Sequence, residues 1–446
     1  MLTVAAAACF AGCVHGALKT TKTVSLPLTF DSATAYYLAN VSVGSPPQDV
    51  SLSFDTGSSD IWIYTRKTKI HDGAPEGGSY DSAESAHSRL VSKDFEIHYG
   101  AVEVKGDFVA DDFTVGGVAV KDTTFAQATK MVGPARHGIM GVGFDTNQAK
   151  YWETGGRRKP YNGLLDHMVE QGLIETHSFS MQLGKQGNGS VLFGGYDTSR
   201  FDGPMAVMPL LPDPEEPRQM SYIRALLSSV SLTDSNGAST RISPDLPRVT
   251  ARFDSGNPSS QLPKAIMDNL AASLGAQYNP NTQHYVVPCD LNKTLDFGFG
   301  DRNAASTVSV KYADMTVYAS DPDTGEPSVN EDGSPACELV FDEDSSGNAE
   351  LGVMGFLQST YLVHHLDEKM LGIAQASDDY SRPADIVELK PGDKAWRRAG
   401  GRLERLRGPR PMGVWFGPGG LRPYGTPRAR FGSRHLRLAR AALGLL

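Results

Sequence analysis

Two motifs in the chain combine an aspartate with a small hydroxyl residue and a glycine. They are Asp55-Thr56-Gly57 and Asp254-Ser255-Gly256, each at the end of an apolar stretch. A Gly-apolar-apolar-Gly segment follows each motif at a distance, at 138–141 and 352–355. Such a tripeptide taken singly is usually a turn, because Asp and Gly are common in turns. The matched strands before and segments after the motifs indicate an internal repeat instead.

A repeat with one aspartate in each half supplies the two groups that amide hydrolysis needs. One group must deprotonate a water while the other protonates or polarises the carbonyl. Two carboxylates about 3 Å apart do not both ionise readily, so they share a proton and divide these roles. We predict that Asp55 and Asp254 are catalytic. The predicted supporting residues are Thr56, Gly57, Ser58, Ser255, Gly256 and Asn257.

The elements that position these residues are predicted to be mostly β-strands. The chain has 446 residues, enough for two domains, and short alternating apolar stretches recur between its 47 glycines and 27 prolines. Helical spacing is confined to short segments. We predict one helix around residues 164–169, ended by Gly172, and another after Pro263, ended by Gly275.

The first motif lies within Asp55–Trp62, which resembles the first active-site signature of the pepsin-like aspartic peptidases over eight consecutive positions. The resemblance extends from about Tyr36 to Ala376 and is of the fungal, secreted type. It implies a bilobal, mostly β fold of two barrels. The cleft would lie between two lobes related by a pseudo-twofold axis.

The resemblance also implies a substrate site. Residues 97–100 look like the hairpin flap of the family, with Tyr99 as the flap tyrosine whose hydroxyl bonds Trp62. The residues that it places in contact with substrate are Tyr99, Gly100, Trp62, Phe125 and Ile139. Cys289 and Cys337 fall where the family has a disulfide of the second lobe, and they form an even pair suited to an exported protein.

Asn257 departs from the family pattern, which usually has a hydroxyl residue at that position. We expect its amide to donate to the dyad, although less well than a hydroxyl. The departure leaves open an alternative, a catalytically impaired protein that binds peptides. A structural or adhesive cell-wall protein that depends on the basic C-terminal segment is a third hypothesis.

The sequence suggests four segments. Residues 1–17 are expected to be a signal peptide, 24–205 the N-terminal lobe, 206–378 the C-terminal lobe, and 379–446 a basic, disordered tail or an error in the gene prediction. We therefore expect a secreted protein that is extracellular or associated with the cell wall. Sequons at Asn40, Asn188 and Asn292 permit N-glycosylation.

The charge distribution excludes some classes of partner. The net charge is −9, although the segment from Lys394 onward contains thirteen Lys and Arg residues and a single acidic residue. An acidic body repels nucleic acids, so we expect peptide or protein substrates and no nucleic acid. We expect no cofactor and no metal, since no His-Glu-x-x-His or paired Cys-x-x-Cys occurs. We also expect a monomer without a transmembrane segment.

Overall fold

The computed structural model describes residues 21–68, 75–100, 102–153, 159–187, 189–214, 219–243, 249–300, 306–320, 326–330 and 333–393. The fold is mostly β, as predicted. The strands of the first half are β1 (Val24–Asp31), β2 (Tyr36–Val43), β3 (Gln48–Asp55), β4 (Ile61–Tyr64), β5 (Arg89–Tyr99), β6 (Val102–Val115), β7 (Val118–Val132), β8 (Gly138–Gly141), β9 (Ser178–Leu183), β10 (Gly189–Phe193), β11 (Gly195–Asp197) and β12 (Phe201–Pro209).

The second half contributes a further set of strands. They are β13 (Arg224–Asp234), β14 (Ser239–Arg241), β15 (Val249–Phe253), β16 (Ser260–Pro263), β17 (Gln277–Asn279), β18 (His284–Pro288), β19 (Lys293–Phe299), β20 (Ser306–Lys311), β21 (Thr316–Tyr318), β22 (Ala336–Leu339), β23 (Phe341–Asp344), β24 (Ala349–Leu351), β25 (Thr360–His365), β26 (Met370–Ala376) and β27 (Ile386–Glu388).

The α-helices are short and lie between strands. They are α1 (Ala149–Glu153), α2 (Leu164–Glu170) and α3 (Lys264–Leu274). Gly172 after α2 and Gly275 after α3 have φ angles of 68° and 66°, a left-handed conformation that glycine adopts without strain. Both predicted helices are therefore confirmed. Short 3₁₀ turns occur at Ser82–Glu84, Asp145–Asn147, Lys185–Gly187, Thr198–Arg200, Tyr312–Asp314 and Leu357–Ser359.

Two large sheets make up the pepsin-like, bilobal architecture. A thirteen-stranded sheet has the order β12-β26-β25-β9-β10-β1-β2-β3-β8-β4-β7-β6-β5. The second large sheet has the order β20-β19-β13-β15-β24-β16-β23, with β14 paired to β13. Smaller sheets are β17-β18-β22-β21 and β11-β27. Strands β25 and β26, from the second half of the chain, complete the sheet of the first half through β9 and β12.

The internal repeat is visible in the strand pairing. Strand β3 runs parallel to β8, so that Asp55 lies beside Gly141, and β15 runs parallel to β24, so that Phe253 lies beside Leu351. In each half the aspartate therefore emerges from a strand with a parallel neighbour on one side. A fully buried phenylalanine directly precedes each aspartate, Phe54 in the first half and Phe253 in the second, and anchors it to the core.

The segment predicted to be a tail is ordered at its start, and for residues 379–393 that prediction is wrong. Strand β27 pairs with β11, and Leu389 is completely buried, because apolar residues of this stretch pack in a cluster with Tyr196 and Tyr361. The rest of the predicted tail, the predicted signal peptide and the sequon at Asn188 lie outside the described residues. The predicted lobe boundary at 205/206 falls within β12, and the four-segment division stays a prediction.

Candidate active site

Asp55 is the last residue of β3 and is buried at the base of a cleft. The backbone N–H of Gly57 donates to Asp55 Oδ1 at 2.7 Å, and the Ser58 hydroxyl donates to Asp55 Oδ2. The turn after the strand thus brings two donors back onto the carboxylate. Donors of this kind stabilise a charged carboxylate and fix its orientation.

Asp254 follows β15 directly and is equally buried. The N–H of Gly256 donates to Asp254 Oδ1 at 2.9 Å, which repeats the arrangement at Asp55. The second oxygen differs, because the guanidinium of Arg252 donates to Asp254 Oδ2 at 2.7 Å. One carboxylate is therefore held by a neutral hydroxyl and the other by a cation.

The two motifs also bind each other. The N–H of Thr56 donates to Ser255 Oγ and the N–H of Ser255 donates to Thr56 Oγ1, both at 3.0 Å. Each hydroxyl in turn donates to the carbonyl of the opposite strand, Thr56 to Phe253 at 3.1 Å and Ser255 to Phe54 at 2.7 Å. These four buried hydrogen bonds hold the two halves in one fixed relation.

The carboxylates face each other across this junction. A Cβ atom added to Gly256 would lie 2.4 Å from Asp55 Oδ1, so only glycine allows the opposing turn to approach so closely. Burial raises the pKa of Asp254; Arg252 opposes that rise and the neighbouring Asp55 adds to it. A buried pair with a raised pKa on one member is suited to sharing a proton.

The cleft has a volume of about 680 Å³. Among its lining residues are Trp62, Tyr99, Gly100 and Ile139, which the family resemblance assigns to substrate contact. Tyr99 ends β5 and pairs with Val102 at the start of β6, so the hairpin turns at Gly100. Its ring packs against a buried cluster that includes Trp62 and Phe108.

The expected hydrogen bond between Tyr99 and Trp62 is not formed. Both the Tyr99 hydroxyl and Trp62 Nε1 are buried and have no hydrogen-bond partner, although the hydroxyl lies near Trp62 and Ser58. Burial, together with the charges of Asp60 and Asp55, holds the pKa of Tyr99 well above its usual value. A neutral hydroxyl and an indole N–H therefore lie buried near each other in two residues that line the cleft.

Phe125 does not line the cleft, and its predicted contact with substrate is wrong. Strand β7 pairs with β4 so that Ala126, not Phe125, lies beside Trp62. Because successive side chains alternate across a strand, Phe125 points to the opposite face. There it is completely buried, and its ring centroid lies 5.1 Å from that of Tyr80 and 5.3 Å from that of Phe113.

Asn257 does not donate to the dyad, which corrects its predicted role. Its side-chain amide donates to Glu350 Oε1 at 2.9 Å, and its Oδ1 accepts from the N–H of Ser259 at 3.2 Å. The Asn257 side chain thus turns toward β24 and leaves Asp254 Oδ2 to Arg252. Burial raises the pKa of Glu350, an effect that Arg252 opposes and Asp254 reinforces.

Sequence reasoning missed Arg252, Glu350, Tyr222 and Tyr36, all of which line the cleft. Arg252 precedes Asp254 by two positions, and alternation along a strand puts such residues on the same face. Glu350 is the neighbour of Arg252 in the parallel pairing of β15 with β24. The alternation along β15 could therefore have indicated Arg252 from the sequence. The positions of the other three residues in the cleft depend on tertiary structure.

The predicted disulfide is present between Cys289 and Cys337, next to the pairing of β18 with β22. No group of three or more His, Cys, Asp or Glu residues within the described ranges is arranged to hold a metal ion. Across those same ranges, no helix combines the length and the apolar character needed to cross a membrane.

Comparison with known proteins agrees with this geometry. A family model described as eukaryotic aspartyl protease matches residues 36–376. The chain is 30% identical to the probable aspartic-type endopeptidase OPSB of Arthroderma benhamiae, over 84% of this chain and 75% of that protein. It is 28% identical to opsB of Aspergillus oryzae, over 84% and 75% of the two chains, and 28% identical to secreted aspartic protease 5 of Candida albicans, over 81% of each. The chain therefore belongs to the eukaryotic aspartyl protease family and is an aspartic-type endopeptidase.

Proposed function

We propose that this chain is a secreted endopeptidase that hydrolyses peptide bonds in acid with Asp55 and Asp254 as a general acid–base pair. The observation that carries the proposal is the facing of two buried carboxylates, each held by the glycine N–H of its own turn. Neither residue needs a metal or a covalent intermediate for this chemistry. Relatives from Candida albicans are named secreted aspartic proteases, which supports export of this chain as well.

In the first step one carboxylate takes a proton from water while the water oxygen bonds to the carbonyl carbon. The other carboxyl group gives its proton to the carbonyl oxygen, which leaves a neutral tetrahedral diol. In the second step the carbon–nitrogen bond breaks and the amine nitrogen takes the proton held by the first carboxylate. A hydroxyl proton returns to the second, so the dyad ends as it began.

Substrate would lie along the cleft under the β5–β6 hairpin. Tyr99, Trp62 and Ile139 offer apolar and aromatic surface, which favours apolar or aromatic side chains beside the bond that is cleaved. Glycosylation at the exposed Asn40 and Asn292, association with the cell wall and a monomeric state remain parts of the proposal. No cofactor takes part in it.

The test is cleavage of peptides with apolar residues on both sides of the bond, measured across the acid range. We expect activity that a statine-type inhibitor blocks. Asp55→Asn and Asp254→Asn should each lower kcat/KM by about 10²–10⁴-fold or more, because each removes one proton-transfer group without changing its size. Asp49→Asn, an exposed carboxylate on β3, is the matched control. Activity that resists the inhibitor, or survives either dyad substitution, would refute the proposal.

A second candidate is a peptide-binding protein with little turnover. It is favoured by one observation, the Arg252 guanidinium on Asp254 where the repeat predicts a neutral donor. Calorimetric binding of a statine-type inhibitor without cleavage of any peptide would select this function. Binding accompanied by cleavage would reject it.

A further inference from the structure

Arg252 lies in β15, two residues before Asp254, and its side chain is 27% exposed in the cleft. One nitrogen, Nη2, donates to Asp254 Oδ2 at 2.7 Å and to the carbonyl of Gly57 at 3.2 Å. The other, Nη1, lies 3.8 Å from Glu350 Oε2. The guanidinium therefore touches one catalytic carboxylate, the turn that carries the other, and a third acid.

This contact replaces a hydroxyl that the repeat would otherwise supply. Ser58 follows Asp55 by three positions and donates to its Oδ2, and the residue three positions after Asp254 is Asn257. Because Asn257 donates to Glu350, Oδ2 of Asp254 receives its hydrogen bond from Arg252. The substitution is electrostatic as well as geometric, since a guanidinium carries a permanent charge and a serine hydroxyl does not.

The guanidinium is held in place from several sides. Its centre lies 4.2 Å from the ring centroid of Tyr222, which is cation–π distance. The charged or titratable groups that face it are Asp55, Asp254, Glu350 and Tyr222, and the ring of Tyr222 also contacts Arg224 at 4.9 Å. Arg224 lies 3.4 Å from Asp213, so a second cation sits nearby without touching the dyad.

We propose that Arg252 is a positioning residue that stabilises the ionised form of Asp254 and so lowers the pH range in which the dyad holds a single shared proton. The proposal rests on the proposed peptidase function of the same pair. A cation at 2.7 Å from one carboxylate stabilises its negative charge more than that of the partner.

The electrostatic balance around Asp254 supports this role. The pKa of Asp254 is raised to about 6, chiefly by burial and also by the negative charge of Asp55, and Arg252 is the largest influence that opposes this rise. Without the cation both proton losses of the dyad would require a higher pH. The range over which the dyad holds a single proton would then move upward as a whole.

The experiment compares the pH profile of kcat/KM in the full-length protein and its variants. Arg252→Gln removes the charge and keeps an amide donor, so both limbs should move up by about one pH unit or more. Arg252→Lys keeps a cation, so its limbs should be shifted from wild type by no more than half as much as those of Arg252→Gln. Arg224→Gln removes the neighbouring cation that does not touch the dyad, and its limbs should stay nearer to wild type than to Arg252→Gln.

Three results would overturn the proposal. They are an unshifted profile in Arg252→Gln, a lysine variant no nearer to wild type than the glutamine variant, and an equal shift in Arg224→Gln. Arg252→Met provides the neutral side chain if Arg252→Gln does not fold. If the wild type cleaves nothing, the proposed function fails separately. The pH range of statine-type inhibitor binding, measured by calorimetry, then tests whether Arg252 sets the protonation of the dyad.

Discussion

Gly57 in the first motif lies so close to Asp254 in the second that an added methyl group would sit 2.2 Å from Asp254 Oδ2. The reciprocal pair, Gly256 and Asp55, has nearly the same spacing. The glycines are therefore required by the carboxylate of the opposite half, in addition to donating their N–H groups to their own aspartate. This explains why the repeat preserves Gly at both positions.

Gly57→Ala and Gly256→Ala should each lower kcat/KM by about 10²-fold or more, because the methyl group must push the opposing carboxylate out of the dyad. A displacement of about 1 Å at a reacting group can cost on the order of 10²-fold in rate. The measurement is kcat/KM together with near-UV circular dichroism. Gly163→Ala is the matched control, since its Cβ would meet nothing closer than 3.6 Å. Near-normal rates in either dyad glycine variant would contradict the geometry.

Asn257→Thr is expected to leave the acidic limb of the pH profile in place. If the amide donated to the dyad, as the sequence predicts, a hydroxyl would donate better and lower that limb, but the amide donates to Glu350 and not to Asp254. The new hydroxyl would have to displace the Arg252 guanidinium to reach the carboxylate. Arg252→Gln, measured in parallel, should move the limb. A downward shift in Asn257→Thr would restore the role predicted from sequence.

The dyad could be predicted from sequence because it depends on a repeat. Two strands, two Asp-hydroxyl-Gly turns and two later glycine segments agree with one another, and the parallel pairs β3–β8 and β15–β24 realise that agreement. The disulfide could also be predicted, because only two cysteines remain outside the predicted signal peptide.

The contacts around Asp254 depend on tertiary structure and could not be predicted from sequence. Position 252 reads as one polar residue in a strand, and only its contacts reveal that the guanidinium replaces a hydroxyl. The direction of the Asn257 amide depends on Glu350, which is 93 positions away in the chain. The error at Phe125 is of a different kind. The family resemblance placed this residue in contact with substrate but did not specify which face of β7 meets the cleft.

Removal of the disulfide should destabilise the second lobe. The bond closes a separation of 48 residues, for which the loop-entropy relation gives about 4 kcal/mol. The Cys289→Ala/Cys337→Ala double variant should therefore unfold at lower denaturant concentration, with its activity retained under native conditions because both residues lie outside the cleft lining. Wild type unfolded with a reductant is the matched comparison. Equal stability of the double variant and the oxidised wild type would contradict this expectation.

His177 joins α2 to the turn between β25 and β26. Its Nε2 lies 3.2 Å from Asp166 Oδ1, and its Nδ1 lies 2.7 Å from Asp367 Oδ1. The hydrogen bonds to Asp166 and Asp367 raise the pKa of His177 from 6.5 to about 10. Burial alone would raise the pKa of both aspartates, but the hydrogen bond from His177 helps to lower the pKa of each below 3.8.

The two kinds of shift define a pH window. The folded protein binds the imidazolium proton more tightly than the unfolded chain, so this stabilisation is complete below pH 6.5 and is lost as the pH rises through about 10. The aspartates contribute above pH 3.8, and their contribution is lost as the pH falls through their lowered values. The cluster therefore stabilises the fold most between pH 3.8 and 6.5.

His177→Gln should lower the free energy of unfolding by about 1 kcal/mol within that window, a figure reduced for solvent screening because the partners are partly exposed. The loss corresponds to a fall in Tm of about 2 °C for a chain of this size. The difference from wild type should shrink as the pH rises toward 10, where the histidine loses its proton in both states. Thermal unfolding at a series of pH values measures it, with His98→Gln, an exposed histidine on β5, as the matched control. A destabilisation that stays constant from pH 5 to about 10 would show that His177 acts through packing and not through its charge.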